Sequence, residues 1–474
     1  MITKRVRDAL IASACVAVLL PTSADAITMK AAIKIALEAN PEIGEAIANR
    51  EAIEFELKQA RGLYLPSVDT ESRYGVQRFS SPATRASGTA NDGRDRREIR
   101  GTLTQRVFDG FNRRGERYHQ ASRVDGASHR VYERSETIAL NVIREYLEVG
   151  RALNVIRFAE ENIAYNRRIL GDLKEGETGG SISAADRQQA EERVFAAEAR
   201  IIESTEELNG AKIRFFKLVG VPFDSYVPPP NVARFQPKTL SEALGIARTT
   251  NPVIKTAKAD LDAARALITQ ARSEYYPKVD IELQGRRGYE LEGVLGRESE
   301  LRAELVLRWN LFRGGIDKSN VQEQVRRSDE ERYGLRRAHR EVEETVRLAW
   351  DRRVQQRRRY ARLRDQLAST QRLIESYGEQ FKVGERSLLD LLDTQNTRFN
   401  TQVSVETARA ALDLAEYRVL ASAGILLNTM QIEAASQSDG YARKQQGVPP
   451  TPEGETEKRY QPNREPRWFT RSSR

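Results

Sequence analysis

Hydrophobic positions along the chain switch between two periods, and the switch occurs twice in the same order. From Pro277, Val279, Ile281 and Leu283 alternate with Asp280, Glu282 and Gln284. Leu301, Ala303, Leu305, Leu307, Trp309 and Leu311 then alternate with Arg302, Glu304, Arg308 and Asn310, with Val306 as the exception. Earlier, Val68, Thr70, Tyr74 and Val76 alternate with Asp69, Glu71, Arg73 and Gln77, and Ile99, Leu103 and Val107 with Arg100, Thr104 and Arg106. Period two puts successive side chains on opposite faces of a strand. It predicts strands over about 65–78, 97–108, 277–288 and 301–311, each near the length of a tilted membrane strand. Tyr64, Phe79, Phe108 and Phe111 bracket the first pair, and Tyr275, Tyr276, Tyr289, Trp309 and Phe312 the second. Interfacial girdles look like this, and so do the core aromatics of soluble hairpins; the strands alone do not choose.

Elsewhere the spacing is three and four. Ile138, Val142, Val149, Ala152, Ile156, Ala159 and Ile163 form one such stripe, interrupted by Glu145. Leu363, Leu367, Thr370, Ile374, Tyr377 and Phe381 form a second, and Val405, Ala408, Leu412, Ala415 and Val419 a third. There is no proline between Pro82 and Pro222, nor between Pro277 and Pro449, so nothing breaks long helices there. The expected helices span about 112–176, 184–219, 316–383 and 387–424, packed as left-handed coiled coils. At about 1.5 Å per residue the longer ones reach roughly 95–100 Å.

The order of elements repeats. Met29, Ala32, Ala36, Asn40-Pro41, Ala60-Arg61, Tyr64, Pro66 and Val68 find counterparts 211 residues on, from Leu240 through Asn251-Pro252 to Val279. Val107-Phe108-Asp109-Gly110 matches Leu311-Phe312-Arg313-Gly314, and Asp186-x-Gln188 is matched with Asp393-x-Gln395 across a one-residue length difference at Gly179-Gly180-Ser181-Ile182-Ser183. Residues 27–226 form a first repeat, 227–238 a Pro-rich linker and 239–427 a second repeat. Residues 428–474, with five prolines after Asp439 and mixed charge, read as a disordered tail.

Composition changes the picture in three places. Residues 1–26 carry Lys4, Arg5 and Arg7, an apolar run from Ala9 to Leu20, and Ala24-Asp25-Ala26, which is a secretory signal with its cleavage site. Cys15, the chain's one cysteine, lies inside that signal, so the exported chain is expected to have no disulfide, no thiolate ligand and no lipid anchor. Beyond residue 26 nothing approaches the run of ~18–20 apolar residues that a membrane helix needs. The 474 residues include 77 basic and 68 acidic side chains, a net charge of +9. Mean hydropathy is −0.61. Because the signs interleave, this charge describes solvated helix faces and not a nucleic-acid surface. His119, His129 and His339 are scattered, read as surface residues, and have no metal-ligand spacing. No phosphate-binding loop or nucleophile–base pattern is present, so the chain is read as a non-enzyme without cofactor or metal.

Four strands cannot close on themselves, since small barrels need about eight, and a bilayer tolerates no open edge. Strands of several chains must combine. Two copies would give eight strands and three would give twelve.

Taken in order, Asn40-Pro41, Asn251-Pro252, Gln189-Ala190-Glu191-x-Arg193, Leu311-Phe312-Arg313-Gly314-Gly315 and Phe381-x-Val383-Gly384-x-Arg386-Ser387-Leu388-Leu389-Asp390-Leu391-Leu392-Asp393 resemble the outer membrane efflux protein (TolC) family from about Ile27 to Leu427. The resemblance implies a mainly α fold with a membrane β-barrel portion: a homotrimer with a twelve-stranded barrel in outer membrane lipid and an α-barrel tunnel in the periplasm of a Gram-negative bacterium. It implies a passive exit duct for type I secretion or drug efflux, docked on a periplasmic adaptor and an inner-membrane ABC or other transporter. Lacking a lipid-anchor site, the chain looks closer to the type I secretion branch. A periplasmic coiled-coil scaffold or adaptor without a pore is the alternative. By the same resemblance Asp390 and Asp393, three apart on one helix, line a periplasmic constriction as stacked carboxylate rings, with Arg386 helping to hold it shut. Asp186 is the first-half partner, and Phe381 stands where a tyrosine is common. Gly179, Gly180, Val383, Gly384, Ser387 and Leu388 would present the tip to the adaptor.

Overall fold

The structure is a computed structural model and describes residues 27–178, 183–293 and 295–452; the signal at 1–26 and residues 453–474 of the tail lie outside the described residues. In chain order the elements are α1 (Met29–Ala39), α2 (Pro41–Gly62), β1 (Ser67–Gln77), α3 (Pro82–Ala86), β2 (Arg94–Phe108), α4 (Asn112–Thr178), α5 (Ala184–Val219), α6 (Leu240–Thr250), α7 (Pro252–Arg272), β3 (Lys278–Tyr289), β4 (Arg297–Arg308), α8 (Ile316–Lys382), α9 (Leu388–Ala423), α10 (Leu426–Thr429) and α11 (Ala442–Gln446). Helices α4 and α8 have 67 residues each, about 100 Å. Each packs against its returning partner of 36 residues, α5 or α9.

The duplicated Asn-Pro pairs explain how each half is tied. Asn40 and Asn251 are the N-caps of α2 and α7, their Oδ1 atoms accepting from Glu42 N and Val253 N at 2.9 Å, with proline in the first helical turn. Each Nδ2 reaches the end of the returning helix, donating to Leu218 O at 3.0 Å and to Ser422 O at 2.9 Å. One side chain thus satisfies an orphan N–H at one helix end and an orphan C=O at another. Helix α9 ends at Gly424, whose φ of +73° suits glycine and whose Cα faces Asn251 so closely that a Cβ would lie 2.9 Å from it.

The main core joins α1, α4, α5, α9 and α10 around Tyr146, Phe215, Ile33, Val142 and Leu420. Glu145, the interruption in the α4 stripe, is buried between Arg144 and Arg214, at 3.1 and 2.8 Å. The segment 227–238 lies across the helices as a strap. The Tyr146 hydroxyl donates to Val227 O at 3.0 Å, Tyr417 donates to Pro230 O at 2.7 Å, and Gln236 donates to Glu416 O at 2.9 Å.

The strands form one antiparallel sheet in the order β1-β2-β3-β4. Its register separates two faces. Val68, Leu103, Leu283 and Ala303 pair across all four strands on one face, continued by Ile281, Leu305 and Leu307. On the other face charges interlock. Asp280, almost fully buried, accepts from Arg106 of β2 at 2.9 Å and from Arg308 of β4 at 3.0 Å. Glu98 binds Arg96 and Arg100, and Arg286 reaches Glu292, Glu298 and Glu300. Val306, the break in alternation, sits opposite Asp280 on this charged face. At the helix end, Phe108, Phe111 and Tyr276 pack edge-to-face with centroids 5.6–6.5 Å apart. Strands β2 and β4 begin at Arg94 and Arg297, earlier than the alternation suggested, because pairing continues where the side chains have become charged.

Two expectations are corrected. The tail is not free from residue 428: the described part, through 452, folds back along α4. Met430, Ile432, Ala435 and Ala442 are buried, and Asp125 accepts from Ala442 N at 2.7 Å and Arg443 Nε at 2.9 Å. Arg443 also reaches Asp262 of the second repeat at 2.7 Å. Composition averaged over the whole tail concealed these anchors. The histidines are half-buried, not surface residues. His129 lies under this strap, 3.0 Å from the position of a Cβ on Gly440. His119 Nδ1 is 3.0 Å from Ala263 O.

Two predictions follow from these ties. Replacing Asn251 by alanine removes a cap and a clamp together, and thermal unfolding followed by circular dichroism should show a loss of about 1–2 kcal/mol. Burial, reinforced by Arg443 and Lys255 and opposed by Asp125 and Asp439, pushes His129 down to about 4. Its folded value is below its unfolded one, so the unfolded chain binds the extra proton, and stability is lost as pH falls from about 6.5 towards 4, by at most about 1.4 kcal/mol per unit. Protection from hydrogen exchange across 441–447, corrected for the intrinsic slowing of exchange with falling pH, should decline over that window in the wild type and not in His129→Gln.

Candidate functional site

The end of the helices farthest from the sheet is closed by one apolar cluster drawn from four helices. Ile169 and Leu173 of α4, Ala190 of α5, Ile374 of α8, and Leu388, Leu391 and Leu392 of α9 are buried together, with Tyr377 and Phe381 packed against them. Helix α8 stops because Gly384 takes a φ of +81°. Gly384 N donates to Phe381 O at 3.1 Å and Glu385 N to Gln380 O at 2.9 Å, the paired bonds of a Schellman ending. Helix α9 then starts on Ser387, which accepts from Asp390 N at 3.2 Å and donates to Asp390 Oδ2 at 2.9 Å. Ser183 and Asp186 make the same two bonds, at 3.2 and 2.7 Å, at the start of α5.

This symmetry corrects the matching of the aspartates. From Phe108/Phe312 through Ser183/Ser387 to Gly220/Gly424 the two halves keep a constant offset of 204, so the tip turns are equal in length. Asp186 corresponds to Asp390, and the counterpart of Asp393 is Gln189. The longer first hairpin loop, which carries α3, accounts for the change from the offset of 211 that holds before the strands.

The remaining tip residues divide by burial. Asp390 is tied to its own cap and lies 3.8 Å from Arg386. Arg386 folds back on its turn, donating from Nε to Gln380 Oε1 at 3.0 Å, with its guanidinium 4.5 Å from the Tyr377 ring centroid. Asp393 is more exposed and accepts from Arg193 of α5 at 2.9 Å, a tie between the two repeats. Phe381 is half-buried. Leu388 is buried in the apolar cluster and offers no free contact surface in the single chain; Ser387 is exposed although its hydroxyl is engaged in capping, and Val383 and Leu389 are 70% and 44% exposed. Gly179 and Gly180 lie outside the described residues. Arg193, Tyr377 and Leu389 were missed as site residues, although Arg193 closes the quoted Gln189-Ala190-Glu191-x-Arg193 run. Behind the tip Gln395 donates to Asn162 Oδ1 at 2.9 Å in a buried polar contact between α9 and α4.

A chain that sets a two-faced, open-edged sheet on one end of ~100 Å helices is a segment of a channel with a β-barrel and a helical tunnel. The model of the family described as outer membrane efflux protein matches residues 32–221 and 243–424, and the chain belongs to that family; it is an outer membrane protein of the TolC type. It is 21% identical over 368 residues to the outer membrane efflux protein BepC of Brucella suis biovar 1 (strain 1330), covering 77% of this chain and 78% of the relative. To the outer membrane protein TolC of Escherichia coli (strain K12) it is 22% identical over 389 residues, covering 78% and 76%. Among solved structures, the fold is shared with VceC of Vibrio cholerae (TM-score 0.71, 14% identity, 84% and 96% covered) and with CusC (TM-score 0.73, 15% identity, 84% and 92% covered). CusC is described as forming a transmembrane channel. Among the described residues no helix is long and apolar enough to cross a membrane.

Because Ser387 both caps α9 and orients Asp390, Ser387→Ala should cost about 1 kcal/mol locally. Hydrogen exchange across 388–394 should speed up while the sheet keeps its protection.

Proposed function

We propose that three copies of this chain form a passive exit duct for efflux or type I secretion, gated at the helical tip and docked there on a periplasmic adaptor and an inner-membrane transporter. The observation that carries the reading is the sheet: four strands, apolar on one face and ion-paired on the other, with both edges unpaired within the chain. Lipid requires those edges to be closed by other strands, and twelve strands from three copies leave a lumen lined by the charged face.

At the tip, Asp390 and Asp393 would form two stacked rings of carboxylates around the axis. Like charges gathered in a constriction favour cations and raise the cost of ionising all of them together. Arg193, bonded to Asp393, offsets part of the second ring in each copy. Arg386 and the Tyr377 ring hold the turn between them, which gives Phe381 a packing role in place of a hydroxyl. Val383, Gly384 and Leu389 supply an exposed surface for an adaptor, with Gly179 and Gly180 as the first-half contribution.

Protein extracted from outer membranes is expected to run as a trimer and to conduct in planar bilayers; a soluble periplasmic monomer would sink the reading in favour of a pore-less scaffold. Asp390→Asn with Asp393→Asn should weaken cation selectivity and block by multivalent cations. Arg193→Ala should strengthen both.

A further inference from the structure

The charged face of the sheet leaves no arginine among its described residues without a carboxylate. The apolar face carries three arginines, and they behave differently. Arg97, Arg287 and Arg297 are exposed, and none forms an ion pair among the described residues. The register gathers them at the end away from the helices. Arg97 pairs with Tyr74 on one side and Tyr289 on the other, Tyr289 pairs with Arg297, and Arg287 lies opposite Ile99, two residues closer to the helices. The Arg97 guanidinium stands 5.7 Å from the Tyr74 ring centroid. These residues line a groove of about 940 Å³. Arg73, Arg94 and Glu98 of the charged face also reach its rim, Asp95 lies one row farther out and Glu290 follows Tyr289, so five arginines meet three carboxylates and the groove keeps a net positive charge.

The level of the groove in the membrane follows from strand geometry. Ten residues separate the Val279–Leu307 row from the Tyr289–Arg297 row. At about 3.4 Å per residue and a tilt near 40°, that is roughly 26 Å along the membrane normal, close to the ~25 Å apolar band of such barrels. With Phe108, Phe111 and Tyr276 at the helix end, Tyr74 and Tyr289 stand at the opposite, outer interface. Arginine facing lipid is disfavoured in hydrocarbon but well placed at headgroup level, where its planar fork can bind phosphate oxygens in pairs. Three such groups on neighbouring strands lie within about 10 Å of one another.

We propose that this groove binds the phosphates of a phosphorylated lipid headgroup in the outer leaflet, with Arg97, Arg287 and Arg297 as the cationic ligands and Tyr74 and Tyr289 as its walls. The proposal rests on the apolar face being the lipid-facing side of the barrel and is independent of what passes through the lumen.

The test uses the full chain purified in detergent, with lipid binding counted by native mass spectrometry. Diphosphorylated lipid A should be retained in preference to its dephosphorylated form. In Arg97→Gln/Arg287→Gln/Arg297→Gln its apparent affinity should fall by about tenfold or more. Arg302→Gln, on the charged face and away from the groove, should leave it unchanged. If the triple variant does not assemble, Arg97→Gln alone carries the test, with a loss of about threefold or more. Equal retention by variant and wild type overturns the proposal, as does an equal loss in Arg302→Gln. Displacement of the lipid by millimolar inorganic phosphate also overturns it, because the site would then be one for a free anion. Conductance recorded on the same preparations separates failure of this site from failure of the channel.

Discussion

The unpaired edges of a four-stranded sheet are the constraint on which the rest of the structure depends. A backbone N–H or C=O exposed to hydrocarbon costs several kcal/mol, so β1 and β4 cannot be the last strands of whatever crosses the membrane. One face presents Val68, Leu103, Leu283 and Ala303 in one row, while the opposite face buries Asp280 between arginines of two strands. Each chain is a segment and not a unit. The low hydropathy of the whole follows from this, because only alternate strand residues meet lipid and the long helices carry charge on their solvated faces.

The single chain is held in shape by its own ties. Here duplication supplies matched ties: Asn40 and Asn251 each join a helix start to the end of a returning helix, and the Tyr146 and Tyr417 hydroxyls pin the segment between the repeats. The C-terminal strap adds a third kind of tie, with Arg443 held by Asp125 from one repeat and Asp262 from the other. The Tyr146 tie lies near the middle of α4 and the Asp125 tie nearer its sheet end. The tip depends instead on its own apolar cluster and on the Arg193–Asp393 pair, which lets it be a separate element from the body it ends.

Most of the fold was legible in residue order because its signals are local. Period two and period three-or-four hydrophobicity, absent prolines, and glycines at Gly220, Gly384 and Gly424 act within a few residues of where they stand. The tip was legible only in outline. Asp186 was matched to Asp393 because Asp-x-Gln recurs there, yet the serine caps align it with Asp390. Leu388 looked like a contact residue because it stands in a turn, and it is buried because the turn directs it inwards against Ile169 and Leu173. The tail looked disordered because composition cannot register that Asp125, more than 300 residues earlier, accepts its backbone N–H groups.

What the sequence by itself determined was the set of elements, their duplication, the two-faced strands and the family they resemble, since each follows from backbone geometry acting on neighbouring residues. Tertiary structure alone decided which aspartates correspond, which tip side chains are buried, which arginines find carboxylates and which are left on the apolar face. Those outcomes depend on register and on groups hundreds of residues apart in the chain, where the favourable pairing is set by what folding brings within about 3 Å.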